Sequence, residues 1–142
     1  MKKKAIISVT SKQKGNEKEK VEVVTPGKFY KKEDSYFAVY DETEISGMEG
    51  TTTTLKISPE KLCLIRMGTT STKMNFKKKY KDIILYNTPY GTLELEVETK
   101  DIDINMDEYG GHVYVNYNLG VIGEKVQNTS LEINIKAEDK LS

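Results

Sequence analysis

From about Ala5 to Ala137 the chain is a continuous succession of short alternating or β-branched segments, and no stretch carries the periodicity of an amphipathic helix. The segments are punctuated by Thr25-Pro26-Gly27, Gly47-Met48, Ser58-Pro59, Thr88-Pro89-Tyr90-Gly91, Gly110-Gly111 and Gly120. A chain written this way must pair strands and bury one face of them. The expectation is an all-β fold over residues 1–142: one closed antiparallel barrel of about 8–10 strands, within the usual range for such barrels. The strand-bearing segments are 4–12, 18–30, 35–43, 50–58, 61–68, 73–77, 82–87, 92–104, 112–119 and 130–137. Residues 13–17, with Gly15 and Asn16, read as a polar hairpin tip.

The later strands alternate most clearly. Leu93, Leu95 and Val97 oppose Glu94, Glu96 and Glu98. Val113, Val115, Tyr117 and Leu119 oppose His112, Tyr114, Asn116 and Asn118, and Leu131, Ile133, Ile135 and Ala137 oppose Glu132, Asn134 and Lys136. One face packs inward and the other meets water.

Two turns predict a register. Gly47-Met48 suits a two-residue type II′ hairpin, which pairs Ser46 with Glu49, Tyr40 with Leu55 and Glu42 with Thr53. Pro59-Glu60 suits a tight turn that pairs Ile57 with Leu62, Leu55 with Leu64 and Thr53 with Arg66. Together they align Glu42, Thr53 and Arg66 across three neighbouring strands on the inward face, with Tyr40, Leu55 and Leu64 one layer away. A bulge at Gly50 would instead oppose Thr43 to Thr53 and turn Asp41 inward. A third turn, Thr88-Pro89-Tyr90-Gly91, reads as type I with glycine at the bulge position.

At these residues the chain resembles the YwiB-like family of small bacterial proteins. The resemblance rests on Tyr40-Asp41-Glu42-Thr43-Glu44, on the run from Gly47 through Thr51-Thr52-Thr53-Thr54 to Ile57, on Ile65-Arg66-Met67-Gly68, and on Tyr86-Asn87-Thr88-Pro89-Tyr90-Gly91-Thr92-Leu93-Glu94-Leu95. Gly110-Gly111 and the last two alternating strands extend it over nearly the whole chain. It implies a lipocalin-type, calycin-like barrel in a bacterial cytoplasm and carries over no catalytic or binding residues.

Composition limits the chemistry. Lys+Arg and Asp+Glu number 22 each, and this balance argues against a dedicated nucleic-acid binder or an anionic-membrane binder. Lys2-Lys3-Lys4 and Lys77-Lys78-Lys79 read as a solvated terminus and a loop tip. One cysteine, Cys63, excludes an intrachain disulfide and fits a reducing, cytoplasmic setting. The apolar stretch Ala5-Ile6-Ile7 is too short for a secretory signal, and no run is long enough to span a bilayer as a helix. One histidine, His112, and one cysteine cannot supply a usual metal set, and nothing in their spacing makes a nucleophile pair of them. On an apolar strand, Cys63 reads as a core hydrophobe. Gly110-Gly111 precedes a strand rather than a helix, so it is no phosphate loop. Glu94, Glu96 and Glu98 read as a solvated outer face rather than a catalytic carboxylate pair. No cofactor is implied.

Two inward features remain. Strand propensity accounts for Thr51–Thr54, and the other reading points the Thr51 and Thr53 hydroxyls into a lumen. An inward Arg66 must be paired, because an uncompensated buried charge costs several kcal/mol. The pair either fixes barrel register or anchors a ligand carboxylate or phosphate. The candidate ligand-binding residues are therefore Tyr40, Glu42, Thr53, Arg66 and Tyr117. The expected function is non-enzymatic binding of a small molecule. The alternative is an interaction module whose lumen is plugged by Tyr36, Tyr40, Tyr117, Leu55, Leu64, Leu93 and Val115. The sequence sets no oligomeric state.

Overall fold

A computed structural model describes residues 2–138. Ten strands run in chain order: β1 Lys3–Gln13, β2 Asn16–Lys32, β3 Ser35–Asp41, β4 Thr51–Ile57, β5 Lys61–Gly68, β6 Thr72–Lys77, β7 Lys81–Thr88, β8 Gly91–Asp107, β9 Gly110–Val121 and β10 Gln127–Ala137. The helical content among the described residues is one 3₁₀ turn, Glu44–Ser46. Each strand from β1 to β6 and from β7 to β10 pairs antiparallel with its chain neighbour, and β1 pairs with β10, so that β6 and β7 end the sheet. The result is an up-and-down barrel. It is nearly closed: β6 and β7 meet through a single bridge, Ser71 to Asn87, with two backbone hydrogen bonds of 3.0 Å.

The alternation of the sequence becomes the inside of this barrel. Ile7, Phe29, Leu55, Ile57, Leu62, Leu64, Phe76, Val97, Val113, Val115 and Ile133 are buried. Each side chain of this size contributes about 1.5–3 kcal/mol when fully removed from water. The Phe76 and Tyr117 rings meet at 4.8 Å across the lumen. The centre of the barrel is therefore filled by the protein itself. Leu93 is the exception among the expected plugs, because it lies near the β7–β8 turn and is half exposed.

β8 shows how a barrel tolerates a change of phase. Leu95, Val97 and Thr99 face inward, then Ile102, Ile104 and Met106 do. The pairing with β9 skips Lys100, since Thr99 opposes Tyr117 and Asp101 opposes Asn116. One extra residue reverses which parity points inward.

The β4–β5 register is the expected one, with Ile57 opposite Leu62, Leu55 opposite Leu64 and Thr53 opposite Arg66. The β3–β4 register is not. Tyr40 opposes Thr53 and Ala38 opposes Leu55. In place of a two-residue hairpin, the chain makes a longer loop. Its 3₁₀ turn is closed by Gly47 at φ +77°, whose N–H donates to Glu44 O at 3.1 Å, and Gly50 follows at φ +83°. Two glycines at positive φ serve one loop, so β3 ends at Asp41 and the pairing slides by two residues. An even slide preserves the facing of every side chain. Glu42 therefore still turns inward, while Asp41 stays outside and accepts a 2.9 Å hydrogen bond from Thr52 Oγ1. The inward Asp41 of the bulged alternative does not occur.

Thr51 and Thr53 are both buried, and their hydroxyls are used inside: Thr51 Oγ1 accepts from Thr70 N at 3.1 Å. Strand propensity alone is thus not the full account of the threonine run. Cys63 is buried but faces outward, between Lys56 and Asn75 in the register, rather than into the core. Glu96 pairs with Lys81 at 3.0 Å and Glu98 with Lys100 at 3.3 Å on the outer wall.

Candidate functional site

The site forms where two strands part. β2 is bonded to β1 over almost its whole length, but to β3 only from Lys28 to Lys32. Pro26 has no N–H to offer a neighbour, so it sits comfortably on this unpaired edge. Gly27 allows the close approach that starts the divergence: a Cβ there would lie 2.5 Å from Val39 O and 2.5 Å from Ile7 Cδ1. Beyond this point the upper part of β2 and the end of β3 separate. The Glu42–Gly50 loop covers the opening and leaves a cavity of about 160 Å³.

Four of the five sequence candidates line this cavity: Tyr40, Glu42, Arg66 and Tyr117. Thr53 lies directly behind them, fully buried. Tyr40, Thr53 and Arg66 share one row of the β3–β4–β5 register. Glu42 lies two residues beyond Tyr40, and its N–H bonds Thr51 O at 2.8 Å. From there its carboxylate Oε2 reaches back diagonally to accept the Thr53 hydroxyl. The same oxygen is 3.8 Å from Arg66 Nε. Both charged side chains are largely withdrawn from water, at 3 % exposure for Glu42 and 17 % for Arg66. Arg66 Nε makes no hydrogen bond.

The two phenols keep their protons. Burial, with the Glu42 charge added, pushes the Tyr40 hydroxyl far above the ordinary tyrosine range. Burial also raises Tyr117, with Arg66 pulling weakly in the other direction. The cavity thus presents a guanidinium and two neutral phenols beside a carboxylate engaged by Thr53, Arg66 and the Tyr40 hydroxyl. Val9, Val21, Val23 and Leu131 supply an apolar wall, and Ser46 and Met48 reach in from the loop.

Sequence reasoning missed Ser46 and Met48, since a two-residue hairpin would have kept that loop clear of the lumen. It also missed the wall, whose residues come from β1, β2 and β10 and converge only through barrel closure. The alternation of Val21 and Val23 was the available signal. The opposite mouth holds a larger hollow of about 250 Å³, lined by Tyr36, Ile57, Ile104 and Met106 with Asp34 at its edge. That hollow has the greater space and includes Ser58 and Asn105, but no cationic side chain lines it.

His112 and Cys63 lie on β9 and β5, which are not neighbours in the sheet. Among the described residues no group of three or more His, Cys, Asp or Glu is placed to hold a metal. No helix among them is long and apolar enough to cross a membrane.

These features define a ten-stranded up-and-down β-barrel with a polar pocket at one mouth. The chain belongs to the family described as "Domain of unknown function (DUF1934)", which it matches over residues 6–133. It is 29 % identical over 112 residues to the uncharacterized beta-barrel protein YwiB of Bacillus subtilis (strain 168), covering 78 % of this chain and 76 % of that protein. The crystal structure of the ywiB protein from Bacillus subtilis superimposes with a TM-score of 0.84 at 23 % identity, over 97 % of this chain and 94 % of the other. The barrel is thus a shared fold.

Proposed function

We propose that the protein binds a small carboxylate-bearing molecule at the mouth of the barrel, without turning it over. The observation that carries this reading is the convergence of Tyr40, Arg66 and Tyr117 on one cavity with an apolar wall. Arg66 has five N–H donors in a planar fork; its Nε faces Glu42 Oε2 at 3.8 Å without a hydrogen bond, and Arg66 itself lines the cavity. A ligand carboxylate would take the fork and the phenol hydroxyls, while a short apolar body would rest on Val9, Val21, Val23 and Leu131. Glu42 and Thr53 hold the guanidinium in place from behind. The ligand must be small: a cavity of about 150 Å³ is enough for a benzene-sized guest. Binding is favoured over catalysis because the residues that a nucleophile pair would need, His112 and Cys63, sit on non-adjacent strands. The unpaired thiol of Cys63 supports a reducing compartment such as the cytoplasm.

The packed centre of the barrel favours a second reading, an interaction module with a filled lumen. One titration separates them. Short-chain and small aromatic carboxylates, added to ¹⁵N-labelled protein, should shift the amides around Tyr40, Arg66 and Tyr117 saturably, and Arg66→Met should abolish the shifts. Absence of saturable shifts from every carboxylate tried would overturn the ligand reading and leave the filled-lumen module.

A further inference from the structure

The net charge of zero conceals a separation of charge around the outside of the barrel. The outer face of β8 carries Glu94, Glu96, Glu98, Asp101, Asp103 and Asp107, and it holds its own counter-charges: Lys81 on Glu96 and Lys100 on Glu98. The outer face of β4, β5 and β6 is different. Lys56, Lys61 and Lys73 stand around a concavity of about 200 Å³ whose floor is Cys63 and whose rim includes Ser58. All three lysines are exposed, and none is in a salt bridge with a described residue. No carboxylate lines the hollow. The acid whose charge reaches Cys63, Asp82 across the β6–β7 seam, accepts a hydrogen bond from Asn75 Nδ2 at 3.4 Å.

Three ammonium groups on three adjacent strands repel one another, with no carboxylate between them; of the three, Lys56 alone has a partner among the described residues, the Phe37 ring at 5.9 Å. They are kept together by the register, in which Lys56 opposes Cys63 and Lys73 opposes Ile65, next to it. We infer that this dish is a binding site for a compact, multiply charged phosphate anion of the pyrophosphate type, separate from the pocket inside the barrel. Lysine ammonium groups act as point-charge partners for phosphate oxygens and need no planar fork to do so. The volume suits a di- or triphosphate group rather than a polymer. The Ser58 hydroxyl, now bonded to Ser35 Oγ at 2.9 Å, is available to re-aim as a further donor. Cys63 reports on the site from its floor: burial raises its thiol affinity for the proton, while Lys73, Lys61 and Lys56 pull the other way. Filling the dish with anion would cancel that pull and slow thiol labelling.

The test uses the intact protein and pyrophosphate, with ionic strength held constant by chloride. Saturable shifts are expected at the amides of Lys56, Lys61, Cys63 and Lys73, with slower Cys63 labelling at saturation. Each Lys→Gln change should weaken binding several-fold, and the triple Lys56→Gln/Lys61→Gln/Lys73→Gln variant should abolish it. These positions are exposed, and an unchanged far-ultraviolet spectrum verifies that the barrel is intact. Pyrophosphate shifts that persist in the triple variant, that spread over lysines around the whole surface, or that never saturate would overturn the site. Tighter binding of a single-stranded oligonucleotide than of pyrophosphate, with shifts extending beyond the dish, would also overturn it, in favour of a polymeric partner.

Discussion

Two ion pairs in this barrel lie on opposite sides of its wall. Glu42 and Arg66 meet inside at 3.8 Å, nearly dehydrated, with Thr53 bonded to the carboxylate. Lys81 and Glu96 meet outside at the shorter distance of 3.0 Å, with side chains 58 % and 31 % exposed. Distance alone would rank the outer pair as the stronger. Solvation reverses the ranking. Water screens the outer charges and competes for them, so such pairs are worth roughly 0–1 kcal/mol. Inside, each charge has given up its hydration and depends on the other. The inner pair adds little net stability over an apolar substitute, but it is intolerant of losing one member. That intolerance suits a residue whose task is to hold a guanidinium at the mouth of a cavity.

The comparison predicts a graded series. Arg66→Met strands a buried carboxylate and should lower stability by about 3–5 kcal/mol in denaturant melts. Thr53→Val keeps the shape but removes a donor to that carboxylate, and the expected loss is about 1–3 kcal/mol. The tyrosines give a pH-dependent test. Tyr40 and Tyr117 bind their protons more tightly in the folded state than in the unfolded state, where the ordinary value is 10.0. Their contribution is therefore intact below about pH 10 and is lost as pH rises above it, because the unfolded chain ionises first. Ultraviolet titration should show two of the nine tyrosines ionising only as the barrel unfolds, and Tyr40→Phe should flatten the alkaline decline in stability. The smallest effect is expected for Lys81→Met, a slight loss that shrinks further in molar salt. A large loss at Lys81 would show that the outer wall is less solvated than its exposure indicates.

Much of the barrel is legible in the sequence, for identifiable reasons. The β4–β5 register could be read to the residue because Pro59 allows one tight turn and Ile57, Leu55, Leu62 and Leu64 agree on the inward face. The β3–β4 register could not. Gly47 and Gly50 both favour positive φ, and local chemistry does not say whether one glycine makes a hairpin or the two together make a loop. The inward facing of Glu42 survived that error only because the slide was even. Tyr40, Thr53, Arg66 and Tyr117 were readable from alternation. Ser46, Met48 and the valine wall were not, because they depend on where β2 leaves β3 and on closure between β1 and β10. Cys63 misled for a related reason: Leu62 and Leu64 on either side suggest a core strand, but alternation sends the residue between them outward, beneath lysine side chains. The separation of charge between the β8 face and the β4–β6 face is likewise invisible in a sum that comes to zero.

The most direct test of the account is a pair of double-mutant cycles, one on each side of the wall, measured by denaturant melts. Inside, Arg66→Met and Glu42→Gln should each be costly, and the double variant should lose much less than the sum, since removing both charges relieves the stranded partner. Outside, Lys81→Met and Glu96→Gln should be small and additive. Additive losses at Arg66 and Glu42, or single variants of near wild-type stability, would mean that the two groups do not hold each other inside the barrel, and the polar anchor at its mouth would not exist.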